Sequence, residues 1–247
     1  MTDVAEPNHA FLSTLPAGPA QKKLALATVL VSAAIFAVLA PFAKHQLAPV
    51  WPFIPVYQSA LVVNDVVTAV LLFGQFHILR RRALLALAGG YLVSAAMATL
   101  HMLSFPGLFA PTGLLGAGPQ STAWIYMFWH AVFPLCVIGY VIARRREKAA
   151  ALHATHPGFE IAACTLAALA CAGGLTALAT AGQALLPSIM EGHRYTPAMI
   201  LVVSSVWGFS MVALVMLWRR RPHSVLELWL MVVMCAWLFD IALAAVL

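Results

Sequence analysis

The sequence predicts an all-α fold: a polytopic transmembrane helix bundle with seven spans. Three observations carry this reading. Only 9% of the 247 residues are charged and 63% are hydrophobic, whereas a soluble domain carries about 25% charged residues to face water. The apolar runs are also long enough to cross a bilayer, which takes roughly 20 residues at 1.5 Å each. Finally, arginine triplets at 80–82, 144–146 and 219–221 follow the second, fourth and sixth runs, as expected of helical hairpins that keep returning to one side.

The elements follow in order. Residues 1–23 form a polar, proline-containing tail ending in Lys22–Lys23. The apolar run after it is longer than a signal-peptide core, so it reads as a retained first helix. The transmembrane domain then occupies 24–247, with spans at about 24–43, 56–79, 83–104, 121–143, 159–185, 198–218 and 225–247. With the N-terminus inside, all basic residues except Lys44 and Arg194 fall on the cytoplasmic side, as the positive-inside rule asks. The formal charge of +6 therefore reads as topology, and nucleic acid is not a partner. The lipid bilayer is.

The four cysteines, Cys136, Cys164, Cys171 and Cys235, lie within apolar runs and read as small buried residues. The fifth span, rich in Ala, Gly and Thr, is expected at the centre of packing, because small residues let backbones approach in lipid. Trp51 and Trp124 near the outer interface, and Trp218 and Trp229 near the inner one, read as aromatic-belt anchors. Residues 103–120, punctuated by Gly107, Gly113, Gly116 and Gly118, are too apolar for an ordinary loop. They are expected to fold back over the outer mouth. His45 and His193, with Lys44, Glu191 and Arg194, read as a solvated rim, and His9, His77, His153, His156 and His223 as tail, edge or inner-loop residues. Seven spans starting inside place Leu247 outside, so an effector domain in the cytoplasm would require an eighth helix.

Four titratable residues stand out within the spans: Asp65, His101, His130 and Asp240. Such groups cost about 2.5–3.5 kcal/mol at mid-bilayer on insertion scales and usually serve a function. Counted by helical rise, Asp65 and His130 lie about 13 Å from their outer ends, Asp240 about 10 Å and His101 about 6 Å. Four separate depths agree on the outer half of the bilayer, which points to one shared polar pocket. Asn64 adjoins Asp65, while Tyr126, Trp129 and Phe133 surround His130. Neutral His130 is expected to donate a ring N–H to a carboxylate or a backbone carbonyl. Met97 and His101, and Met127 and His130, share helix faces. Imidazole with thioether suits haem b iron or copper, with His101 and His130 as ligands and Met97 and Met127 as companions. A small organic ligand, a proton or redox cue, or plain packing are the other readings.

No phosphate-binding loop, nucleophile elbow, zinc-protease motif, paired CxxC, kinase or cyclase signature is present in these residues. The chain by itself does not read as an enzyme.

The stretch "HMLSFPGLFAPTGLLGAGPQSTAWIYMFWHAVFPL" (101–135), with "SALVVNDVVTAVLLFGQF" and "LWLMVVMCAWLFDIALAAVL", resembles the bacterial membrane-associated sensor domains of the MASE type, fourth family, from about Pro41 onward. The resemblance implies an N-terminal input domain of a histidine kinase or a GGDEF diguanylate cyclase. It also implies that His101, Phe105, Pro106, Gly107, Gln120, Trp124, Trp129 and His130 are motif positions. The family pattern continues with an eighth helix and an effector beyond the seventh span, so the chain reads as truncated before them. The combined expectation is a sensory module, operating as a homodimer, that recognises a small-molecule or ion stimulus through Asn64, Asp65, His101, Phe105, Trp124, Tyr126, Trp129, His130 and Asp240. The rivals are a haem- or metal-binding membrane protein and a transporter-like bundle. A transporter should show broken helices at mid-membrane, and only "CAGG" (171–174) interrupts a span.

Overall fold

The computed structural model describes residues 11–43, 45, 50–149, 156–191 and 194–246. His9, Lys44, His153, His193 and Leu247, with the side chains of Lys148 and Arg194, lie outside what is described. Among the described residues, seven helices are long and apolar enough to cross a membrane: α1 Pro19–Leu39, α2 Phe53–Leu79, α3 Arg82–Ser104, α4 Ser121–Ala149, α5 Pro157–Ala179, α6 Pro197–Trp218 and α7 Val225–Val246. The β structure among the described residues is a two-residue antiparallel hairpin, Met190–Glu191 with Arg194–Tyr195, and an isolated bridge between Pro16 and Ser224.

The helix ends have local causes. Proline opens α1, α5 and α6, where its missing N–H costs nothing and its fixed φ suits the first turn. Thr196 caps α6 by accepting from Met199 N. Ser224 and Glu227 cap α7 reciprocally: Ser224 N donates to Glu227 Oε2 at 3.0 Å and Glu227 N to Ser224 Oγ at 3.3 Å. Arg80 stops α2 in a left-handed conformation (φ 57°), so α3 begins two residues later. The sequence reading places several boundaries wrongly: α1 starts at Pro19, five residues before the expected 24. α4 runs through the arginine triplet to Ala149 instead of ending at 143, since arginine is a good helix former. α5 stops at Ala179 instead of 185, because Thr180 leaves helical geometry and residues 180–185 tighten into turns and a 3-10 segment.

In lipid, helices associate by close packing and hydrogen bonds, with little hydrophobic drive. α3 is the most enclosed helix, packed against α2, α4 and α5. A Cβ built on Gly90 would stand 2.7 Å from Cys136 Cβ, so glycine permits the close α3–α4 contact. α4 also packs on α6, α6 on α7, and α7 on α1 at the periphery. The expectation that the fifth span is central is therefore corrected. α5 lies at the edge, only 17% buried over its span window against 61% for α3. Gly173 and Gly174 have open space where a side chain would go. Small residues do make its buried face, Ala168, Ala172, Thr176 and Ala179, but others, Gly173 and Gly174 among them, face outward, a division that composition alone could not place. Cys171 is likewise exposed.

Two apolar clusters fill the bundle. One, at the arginine-bearing end, holds Phe76, Leu87, Tyr140, Leu217 and Met234. The other, toward the opposite end, holds Met97, Ile125, Met127, Ile189 and Val206.

Candidate functional site

The site is built on α4 and α7, near the end away from the arginines. His130 of α4 is 3% exposed. Its Nδ1 lies 2.7 Å from the Tyr126 carbonyl one turn earlier, and its Nε2 lies 2.9 Å from Asp240 Oδ2 on α7. The Tyr126 hydroxyl donates to the same Oδ2 at 2.9 Å. Trp237, three residues before Asp240 and so on the same face of α7, donates its indole N–H to the His130 carbonyl at 3.1 Å.

That last bond has a cause in the sequence. Pro134, inside α4, has no N–H, so the carbonyl four residues earlier loses its helical partner. That carbonyl belongs to His130, and Trp237 takes it. A backbone polar group unpaired in lipid costs several kcal/mol, so the proline effectively reserves a binding place for the α7 indole.

Hydrogen-bond logic also fixes the proton count. A backbone carbonyl can only accept, so Nδ1 of His130 carries a proton. The contact between Nε2 and Asp240 then needs a second proton, on the imidazole or on the carboxyl. The pair holds one proton more than a neutral histidine beside a carboxylate. Without it, a lone pair and a carboxylate oxygen would face each other at 2.9 Å.

The rings are closely packed. The His130 imidazole stacks against Tyr126 (centroids 3.9 Å apart), Trp129 (4.8 Å) and Trp237 (4.9 Å). His101 of α3 shares two of those neighbours, at 5.9 Å from Tyr126 and 6.2 Å from Trp129, and meets Phe105 edge-on at 6.0 Å. Its Nδ1 bonds Gln58 Nε2 of α2 at 2.7 Å. Trp129 is tied in by its indole N–H, which donates to Ser94 Oγ at 2.8 Å. The structure thus brings together His101, Phe105, Tyr126, Trp129, His130 and Asp240.

It does not bring in every expected residue. Asp65 is buried on α2 beside Ser94, one layer away, and it makes no direct bond to either histidine. Asn64 is exposed on the outer face of α2, as follows from being one residue, about 100°, round the helix from Asp65. Trp124 turns aside: it packs on Phe128 and donates to the Pro187 carbonyl at 3.2 Å. At 6% exposure it is no belt anchor either, whereas Trp51 and Trp218 are exposed.

The metal reading finds no support in the same geometry. While its two bonds stand, His130 offers no lone pair to iron or copper. Met97 and Met127 pack fully buried in the apolar cluster. No group of three or more His, Cys, Asp or Glu that could hold a metal occurs among the described residues.

Residues 103–120 form a chain of turns above this layer. Gly107 and Gly113 adopt positive φ (80° and 85°), and Leu114 N returns to the Leu103 carbonyl at 2.9 Å. Gln120, at its end, grips the hairpin before α6. Its Oε1 accepts from Ile189 N (3.0 Å) and Met190 N (2.9 Å), and its Nε2 donates to the Met190 carbonyl.

Sequence reasoning missed Gln58, Ser94, Trp237 and Pro134. Helical spacing carried the signal: Gln58 and Asp65 are seven apart, as are Ser94 and His101, and each pair lies on one face. Trp237 precedes Asp240 by three, and Pro134 follows His130 by four.

A multi-pass helical bundle with a hydrogen-bonded polar layer between its helices defines the class: a membrane-integral domain whose chemistry lies inside the bilayer. Residues 48–247 match the family described as membrane-associated sensor, integral membrane domain (MASE4), and the chain belongs to that family. It is an integral-membrane sensory module, and the family's domain is an input domain, not a catalytic one. No curated protein and no solved structure gives a match.

Proposed function

We propose that this domain is the input module of a bacterial inner-membrane signalling protein, a histidine kinase or a diguanylate cyclase, and that its cue acts on the protonated His130–Asp240 pair. The observation that carries the reading is the pair itself: a nearly buried imidazole bonded on both nitrogens, with Asp240 still 47% exposed. One partner is locked in the bundle and the other is reachable from outside it. A direct proton signal, or a small polar ligand that competes for Asp240, would act there.

The pair joins α4 to α7, so its rupture loosens their contact at that end of the bundle. A cue can shift that equilibrium only if it favours one arrangement over the other, and a proton bound only in the joined state does so. The orientation with the arginine triplets in the cytoplasm directs this displacement toward an effector, working as a homodimer.

Losing the shared proton weakens the joint. The titratable groups facing it are Tyr126 on the same helix, His101 from α3 and Tyr57 from α2. The test is tryptophan fluorescence of the purified chain across pH, since the Trp237 indole is bonded within the joint. A pH-dependent change that Asp240→Asn and His130→Gln both abolish is expected. Persistence of that change in both variants would show that the cue acts elsewhere.

A further inference from the structure

At the arginine-bearing end, α1 rests on α7 and stands apart from α6, leaving a cleft of about 1020 Å³. Small-molecule sites measure about 300–1,000 Å³. Its floor is α7, through Leu228, Met231 and Cys235. One wall is α1, through Ala25, Leu26 and Val29, and the other is α6, through Leu214 and Val215. From Lys22 to Val29 the wall descends about 10 Å into the hydrocarbon.

The mouth is built. The N-terminal strap pairs with the α6–α7 turn: Ala17 N donates to the His223 carbonyl and Val225 N to the Leu15 carbonyl, both at 2.9 Å. The strap is anchored again by Ser13 Oγ, which donates to Gln75 Oε1 of α2 at 2.7 Å. This sets Lys22 and Arg221 on the rim of one opening, with His223 between α6 and α7. Arg221 lies over the Trp218 ring, 5.2 Å from its centroid, and His223 Nε2 bonds the Trp218 carbonyl at 3.1 Å. No acidic residue lines the cleft. Neither Lys22 nor Arg221 has a carboxylate partner among the described residues. By contrast, Arg82, Arg144 and Arg220 are each paired with a glutamate.

From this charge pattern and shape we infer that the cleft binds one anionic phospholipid from the leaflet at the basic end. Its phosphate sits between Lys22 and Arg221, and one acyl chain lies along α7 between α1 and α6. The apolar depth selects a lipid over a soluble anion, and the unbalanced rim selects an anionic headgroup over a zwitterionic one. Basic residues at a membrane surface contribute about 1 kcal/mol each toward anionic lipid.

The test is native mass spectrometry of the full chain in detergent, with dioleoylphosphatidylglycerol, dioleoylphosphatidylcholine or inorganic phosphate as the probe. Retention of one phosphatidylglycerol, in preference to phosphatidylcholine, is expected. Lys22→Gln with Arg221→Gln weakens it about thirtyfold. Val29→Trp fills the cleft and abolishes retention with the basic rim intact. Should Val29→Trp fail to fold, Leu26→Trp, at a position 59% exposed, serves the same purpose. Equal retention of both lipids, insensitivity to the charge change, or phosphate binding as tightly as the lipid overturns the proposal. So does a dimer whose stability tracks the same substitutions, which would put a second copy of the chain in the cleft.

Discussion

Asp240 shows how far one residue can be made tolerable in lipid. A lone carboxylate at this depth is costly, and its side chain is 47% exposed. The Tyr126 hydroxyl donates to its Oδ2, and His130 Nε2 bonds the same oxygen, which spreads the charge or removes it. The glycines of residues 103–120 carry a different residue-scale constraint. A Cβ on Gly113 would stand 2.1 Å from the Ser104 carbonyl oxygen, and φ is +85°. Gly116, with φ +66°, has open space around it. Gly113→Ala should therefore cost at least about 2 kcal/mol, strain plus collision, and Gly116→Ala about 1 kcal/mol from strain alone. Thermal unfolding in detergent, with the two variants side by side, checks the difference. Equal losses would show that backbone strain is the whole effect.

At the scale of elements, α4 and α7 meet over only a short stretch, and polar joints fasten them at both ends. Near the far end stands His130–Asp240. At the arginine-bearing end the buried Glu227, 1% exposed, pairs with Arg144 of α4 at 3.1 Å and Arg220 at 3.8 Å. The two joints are about 20 Å apart along the helices, so opening one leaves the other as a pivot. Glu227→Ala should destabilise the domain by about 3–5 kcal/mol, because it strands two arginines and removes the α7 cap. Arg144→Ala should cost less, since that side chain already reaches solvent (21% exposed). Denaturant titration of both variants measures the gap, and a larger loss in Arg144→Ala would refute the assignment of Glu227 as the buried centre.

This joint was not legible in the arginine triplets, which read as topology, because charge counting does not reveal which arginine meets a distant acid. The spans were legible, since their signal is local hydropathy. So was the common depth of His101, His130 and Asp240, since rise per residue is fixed. Rotation about each helix axis was not, and it decides that Asn64 and Trp124 face away while Gln58 and Trp237 face in. When every face is apolar enough for lipid, the sequence carries almost no rotational signal.

The whole molecule is polarised. The arginine triplets, the strap and the Glu227 joint occupy one end, and the turns of 103–120, the hairpin and the histidine layer occupy the other. Twelve of fourteen basic residues, all but Lys44 and Arg194, belong to the first end by sequence, from which the positive-inside rule predicts that this end faces the cytoplasm. If the opposite orientation held, the histidine layer would open toward the cytoplasm, and a cue from outside could not reach Asp240 by the short route. The two ends offer exposed positions for a direct test: Leu12, 66% exposed, lies in the strap, and Leu185, 82% exposed, lies between α5 and the hairpin. The native thiols are first replaced by alanine, because all four cysteines lie in spans. In intact cells a membrane-impermeant maleimide should then label Leu185→Cys and spare Leu12→Cys until the membrane is opened. The reverse pattern would invert the domain and turn its histidine layer into a reader of cytoplasmic conditions.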